Sequence, residues 1–146
     1  MRTILFVCTG NTCRSPMAEA IARGLVDDSE VFVASAGVSA FDGAPTSPES
    51  MAALQSMGIE YDGHSTLLTP EMVLGADLIL CMTAQHRDAA RRLVSDAPEL
   101  IEKIQVLDLE GDIPDPIGQG QDQYDAVARR MKKVIPGRLE SITSRK

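Results

Sequence analysis

A cysteine and an arginine separated by five residues, with a serine directly after, stand in the run Cys8-Thr9-Gly10-Asn11-Thr12-Cys13-Arg14-Ser15. These residue types suit nucleophilic chemistry on an anion. A thiolate attacks strongly, and it is the form favoured near amide donors and a cation. The guanidinium of Arg14 has a planar fork that grips two oxygens of a phosphate, which an ammonium cannot do. The Ser15 hydroxyl is placed to hydrogen-bond the sulfur or help it leave. Gly10 permits a positive φ, and Asn11 tolerates the left-handed region better than most residues. Such a turn aims successive N–H groups, from Thr9 to Cys13, inward as an anion-binding nest. The run lacks the Gly-Lys-Ser/Thr ending of a nucleotide-binding phosphate loop, so ATP and GTP are disfavoured.

The bland account of Cys8 is a small hydrophobe that finishes a strand. That account suits Cys81, set in Leu78-Ile79-Leu80-Cys81-Met82, but it leaves Gly10, Asn11, Arg14 and Ser15 unexplained. A thiolate attacking phosphorus also needs a partner to protonate the leaving group. Asp115, stiffened by Pro116, is the candidate; it would also take a proton from the water that attacks the phosphocysteine. Asp108, Asp112 and Asp122 offer the same chemistry with less rigidity.

The elements that position these groups follow from the hydrophobic pattern. Thr3–Cys8 is continuously apolar, as a strand buried on both faces must be. Further strands are predicted at Val31–Ser35, Leu78–Met82 and Ile104–Leu107. Ser15 is expected to cap a helix bearing Met17, Ile21 and Leu25 on one stripe. Thr46 and Glu49 have capping-box spacing ahead of a second helix. Thr69-Pro70-Glu71 opens a third, and Thr83 caps a fourth running to about Val94. A loop rich in Gly, Pro and Asp spans residues 108–121. The last helix carries Tyr124, Val127, Met131, Val134 and Ile135, and Pro136-Gly137 is expected to break or kink it. Alternating strands and helices predict one doubly wound α/β domain over residues 1–146, its parallel sheet covered by helices on both faces. Its ligand belongs beyond the carboxyl ends of the strands, where Cys8 and Asp115 both fall.

The chain has 146 residues, 44% of them hydrophobic and 24% charged, which fits a single globular core. The longest apolar run near the start, Ile4–Cys8, is too short to span a membrane, and Met1-Arg2-Thr3 leaves no room for a signal peptide. The cytoplasm is the expected compartment and a monomer the expected state. Three cysteines make no disulfide framework. A net charge of −7 argues against nucleic acid or an anionic membrane as partner. A phosphorylated substrate must therefore be attracted by local groups.

The segment Val7-Cys8-Thr9-Gly10-Asn11-Thr12-Cys13-Arg14-Ser15-Pro16-Met17-Ala18-Glu19 resembles the opening of the low-molecular-weight protein phosphatases. Ser35-Ala36-Gly37, Leu80-Cys81-Met82 and Asp115-Pro116 fall where that family has matching segments. The resemblance implies a four-stranded parallel sheet, a phosphocysteine on Cys8, phosphate held by Arg14, and Asp115 as general acid, with no metal or other cofactor. It also implies that Asn11, Ser15 and Ser35 form a network holding the loop, with His64 as further support. The chain is most similar to the bacterial branch that includes protein-arginine phosphatases. It shares with them Thr12, where tyrosine-acting members have isoleucine, and Met82-Thr83-Ala84-Gln85-His86. Tyrosine-acting members place an aromatic residue after Asp-Pro; here that residue is Ile117, which leaves Phe41 as the remaining aromatic wall.

Phosphorylated proteins are thus the implied partners, and phosphate or another oxyanion the implied occupant of the loop. Arsenate reduction ranks lower, since its relay needs two further cysteines and none follows Cys81. A non-catalytic phosphoprotein-binding module would be expected to lack the nucleophile or the acid, and both are present. Cys13 is open to two readings: a reversible disulfide with Cys8 that shields the thiolate from over-oxidation, or a thiol packed under the loop.

Overall fold

The computed structural model describes residues 1–143. Four parallel strands, β1 (Arg2–Cys8), β2 (Val31–Gly37), β3 (Leu78–Cys81) and β4 (Ile104–Val106), lie in the order β2-β1-β3-β4. β1 is flanked on both sides, which explains its unbroken apolar run. Its side chains alternate between two cores, because successive residues of a strand point to opposite faces. Ile4, Phe6 and Cys8 face α1 (Arg14–Arg23) and α5 (Gln121–Thr143), with α2 (Pro48–Gln55) packed beside them. Leu5 and Val7 face the layer holding α3 (Pro70–Gly75) and α4 (Ala84–Arg92). Each fully buried aliphatic or aromatic side chain contributes about 1.5–3 kcal/mol to this arrangement.

The helix α1 is the most enclosed element. Every residue from Arg14 to Ala22 is buried, so its alternating alanines let β1, β2, α2 and α5 approach closely. The helix begins two residues earlier than a Ser15 cap would place it. Its N-cap is Cys13, which makes no side-chain capping bond, and Ser15 lies inside the first turn. Ser15 is thereby freed from capping, and the first-turn N–H groups stay open toward the loop.

Two other expectations need correcting. Ser47, not Thr46, caps α2 by accepting from Ser50 N, while Thr46 donates to the carbonyl of Gly63. Pro48 at the first helical position shifts the start by one residue. The helix α5 runs through Pro136 and Gly137 without interruption. Both lie on the exposed face, and buried Ile135 and Leu139 hold the helix on either side of the lost hydrogen bond. Thr69 and Thr83 cap α3 and α4 as the sequence predicts. Among the described residues no helix is long and apolar enough to cross a membrane.

Candidate active site

The strand order reverses beside β1, where the chain goes to β2 on one side and β3 on the other, so the loop after it opens into a crevice at the carboxyl edge. Cys8, the last residue of β1, is 2% exposed and pairs with Gly37 of β2. The loop from Thr9 to Cys13 then folds back over that edge. Its back is fastened on every side: Val38 and Ser39 donate to the carbonyls of Cys8 and Thr9, and Ser47 donates to that of Thr12. Ser50 Oγ donates to the Cys13 carbonyl. Gly37 is required by this packing, since a Cβ there would lie 2.9 Å from Asn11 N and closer still to the Thr9 carbonyl oxygen.

Asn11, not Gly10, carries the left-handed turn, with φ of 58°. Its side chain locks that conformation through three hydrogen bonds. Nδ2 donates to Ser15 Oγ at 2.7 Å and to Ser35 Oγ at 2.9 Å, and Oδ1 accepts from Thr66 N at 2.9 Å. Ser15 Oγ accepts from Asn11, and its own proton has two acceptors in reach, Cys8 Sγ at 2.9 Å and the Ala36 carbonyl at the longer distance of 3.5 Å. A hydroxyl thus stabilises the sulfur as it becomes or leaves as an anion. Among the described residues, no protein acceptor takes the backbone N–H of Gly10, Thr12, Cys13 or Arg14. These donors remain available to a ligand at the α1 N-terminus.

The network continues inward to a buried carboxylate. Ser35 Oγ donates to Glu19 Oε1 at 2.5 Å, and Tyr61 OH donates to the same oxygen at 2.9 Å. Arg23 forms an ion pair with Glu19 one turn along α1. Glu19 is 5% exposed, and these three partners offset the cost of its desolvation. Burial first, and then the Glu19 charge, push the Tyr61 phenol above its ordinary range, so it stays a donor.

Arg14 is 5% exposed and held at both ends of its fork. Nη1 donates to the Ile113 carbonyl at 2.9 Å, and Nη2 lies 3.7 Å from Asp115 Oδ2. The residue directly after β3 carries this arrangement, since Ile113 N in turn donates to the Met82 carbonyl. Asp115 is half exposed and accepts from Ile117 N through Oδ1. The competing carboxylates are occupied elsewhere or distant. Asp112 accepts from Ala84 N at the start of α4, and Asp122 lies in the first turn of α5. Asp108 binds Arg130; the Glu110 amide and that guanidinium hold its carboxyl below the usual range. A cavity of about 210 Å³ is bounded by Cys8, Arg14, Asp115, Thr9, Thr12 and Ile117, among others.

The remaining sequence candidates separate. His64 lies on the surface, where its backbone bridges Pro45, and the imidazole near the loop is that of His86, with Nε2 2.7 Å from Thr9 Oγ1. Phe41 is 85% exposed and is not among the residues bounding the cavity. Cys13 is a free, buried thiol within 3.7 Å of Tyr124 OH and 3.6 Å of Ser47 Oγ. Cys81 is fully buried, and desolvation pushes its thiol up to about 12. The sequence reading missed Glu19, Tyr61 and His86 as parts of the site. Glu19 lies one turn beyond Ser15 and His86 three residues beyond the capping Thr83, spacings that hint at both; nothing local marks Tyr61.

The family model described as low molecular weight phosphotyrosine protein phosphatase matches residues 3–146. The protein-arginine-phosphatase of Bacillus subtilis is 35% identical over 136 residues, covering 90% of this chain and 91% of that one. The low molecular weight protein-tyrosine-phosphatase PtpB of Staphylococcus haemolyticus is 38% identical over 139 residues, 94% of this chain and 97% of that one. A solved mutant of the YwlE arginine phosphatase, with a phosphorylated active-site serine, superimposes with a TM-score of 0.85 at 33% identity. That match covers 94% of this chain and 95% of the other. With its matched length, its sheet and its cysteine-arginine loop in agreement, this chain belongs to the low molecular weight phosphotyrosine protein phosphatase family.

Proposed function

We propose that this chain hydrolyses phosphorylated side chains of proteins, with phosphoarginine preferred over phosphotyrosine. Cys8 Sγ attacks phosphorus, and Asp115 gives its proton to the departing nitrogen or oxygen. Arg14 holds two of the phosphoryl oxygens. Water then attacks the phosphorus of the phosphocysteine, Asp115 takes its proton, and Ser15 stabilises the departing thiolate. The observation that carries the reading is Arg14, tied to the Ile113 carbonyl on one side and facing Asp115 on the other, above a cysteine already hydrogen-bonded to Ser15. Nucleophile, phosphate clamp and acid thus converge on one cavity.

The preference for phosphoarginine rests on the wall of that cavity. Thr12 presents a hydroxyl, and Ile117 stands where a stacking ring would suit a phenol. A guanidinium-borne phosphate carries N–H donors that the Thr12 oxygen can accept; a phenol carries none. The fully buried Cys81 is a poor member of any thiol relay, which weighs against arsenate reduction. The proposal keeps the cytoplasmic monomer expected from the sequence, whose three free cysteines suit reducing surroundings. The test is a kinetic panel of phosphoarginine protein, phosphotyrosine protein and arsenate, run on the wild type, Cys8→Ser and Thr12→Ile. Cys8→Ser abolishes turnover, and Thr12→Ile moves the preference toward phosphotyrosine. Near-normal turnover by Cys8→Ser refutes the nucleophile. Equal or better phosphotyrosine turnover, unchanged by Thr12→Ile, refutes the arginine preference.

A further inference from the structure

The segment Met82–His86 supports the site through its backbone, and its spacing also delivers a side chain to the phosphate loop. Thr83 is the N-cap of α4, and its Oγ1 accepts from His86 N at 3.1 Å. The cap fixes His86 as the third residue of the helix, at the carboxyl edge of β3 beside β1. From there Nε2 reaches Thr9 Oγ1 at 2.7 Å, the first loop residue after the nucleophile.

The direction of that hydrogen bond follows from the other ring nitrogen. His86 is 6% exposed, and its Nδ1 is buried with no hydrogen-bond partner among the described residues. A proton on Nδ1 would be a buried N–H without an acceptor, a costly group; a bare lone pair there is the lesser penalty. The ring's single proton therefore sits on Nε2 and is donated to Thr9. The groups facing the ring keep it neutral. Burial acts first and the Arg14 charge second, outweighing Asp112 and Asp115, and bring its pKa down to about 4. Thr9 Oγ1 is thus an acceptor toward His86, and its own proton must point elsewhere. Thr9 is exposed and borders the cavity that holds Cys8 and Arg14.

We infer that the Thr9 hydroxyl is a donor to the bound phosphoryl group and that His86 is the positioning residue that aims it. This rests on the phosphatase reading above and adds a side-chain donor to the loop's amides. An orienting hydrogen bond matters because a rotating hydroxyl gains less from an anion than one already turned toward it.

The experiment is calorimetric titration with inorganic phosphate, which reads the donor without turnover. Thr9→Val weakens phosphate binding by roughly 10- to 100-fold, the usual effect of losing one donor to a charged oxygen. Thr9→Ser retains most of the affinity. His86→Leu weakens binding several-fold; His86→Gln, whose amide places a donor near the position of Nε2, recovers most of it. In the Thr9→Val background His86→Leu causes no further loss, a result that general damage to the fold would not give. Wild-type affinity in Thr9→Val, or losses that multiply in the double variant, overturn the inference. Turnover of phosphorylated protein by the wild type and Cys8→Ser, measured on the same preparations, tests the phosphatase reading separately.

Discussion

Replacing Asn11 by alanine removes the side chain that closes the phosphate loop. Three hydrogen bonds are lost, to Ser15, Ser35 and Thr66. At about 1 kcal/mol net each, their removal costs about 3 kcal/mol. The backbone adds to this. A φ of 58° is tolerated by asparagine, but it places the alanine Cβ against the following carbonyl at a cost of about 1 kcal/mol. The expected destabilisation is therefore about 4 kcal/mol, a fall in Tm of roughly 12–16 °C for a chain of this size. Urea unfolding with the slope fitted freely measures it, and alkylation of Cys8 by iodoacetamide reports the loop directly. With Ser15 no longer held by Asn11, Cys8 should also react more slowly and kcat should fall. A loss below about 1 kcal/mol with normal Cys8 reactivity would refute the reasoning, because the loop would then keep its shape without the side chain.

Asp115→Asn is expected to lower kcat on phosphorylated protein by roughly two to four powers of ten, the worth of a positioned acid. Asp112→Asn should act mainly on stability through the start of α4; a large kcat loss there instead would move the acid to Asp112. His86 gives the pH dependence. Its pKa falls from 6.5 to about 4 on folding, so between those values the unfolded chain binds a proton that the folded chain refuses. Stability is then lost as pH drops through that window, and His86→Gln should flatten the slope of the urea midpoint between pH 7 and pH 5. Identical slopes for the two proteins would remove His86 as the cause.

The sheet was legible because each strand is a continuous apolar run and each crossover helix has a stripe. Cys8, Arg14 and Asp115 were legible because their chemistry is rare at that spacing and both loops leave the same edge. The network behind them was only half visible. Ser35 could be placed through its family match, but Glu19 reads as a surface charge on a helix until Ser35 of β2 and Tyr61 are seen to meet it. His64 and His86 are alike in sequence, and only the register of β3 beside β1 brings the second to Thr9. The expected cap at Ser15 moved two residues back to Cys13 and that at Thr46 one residue on to Ser47, since local spacing does not decide which hydroxyl is needed elsewhere. Pro136 shows the same limit from the other side, for packing on both flanks keeps a helix that local propensity would end.

The central place of β1 has a consequence for the order in which the molecule comes into being. A chain leaving the ribosome presents Cys8 first, yet β1 has no neighbour until Val31–Gly37 emerges and none on its other side until Leu78–Cys81 does. Arg14 finds its carbonyl only when Ile113 is made. Until then the nucleophile is an ordinary thiol on an unpaired strand, open to oxidation and unable to hold phosphate. Activity in this fold is therefore a late event of synthesis, although its first residue is written near the start.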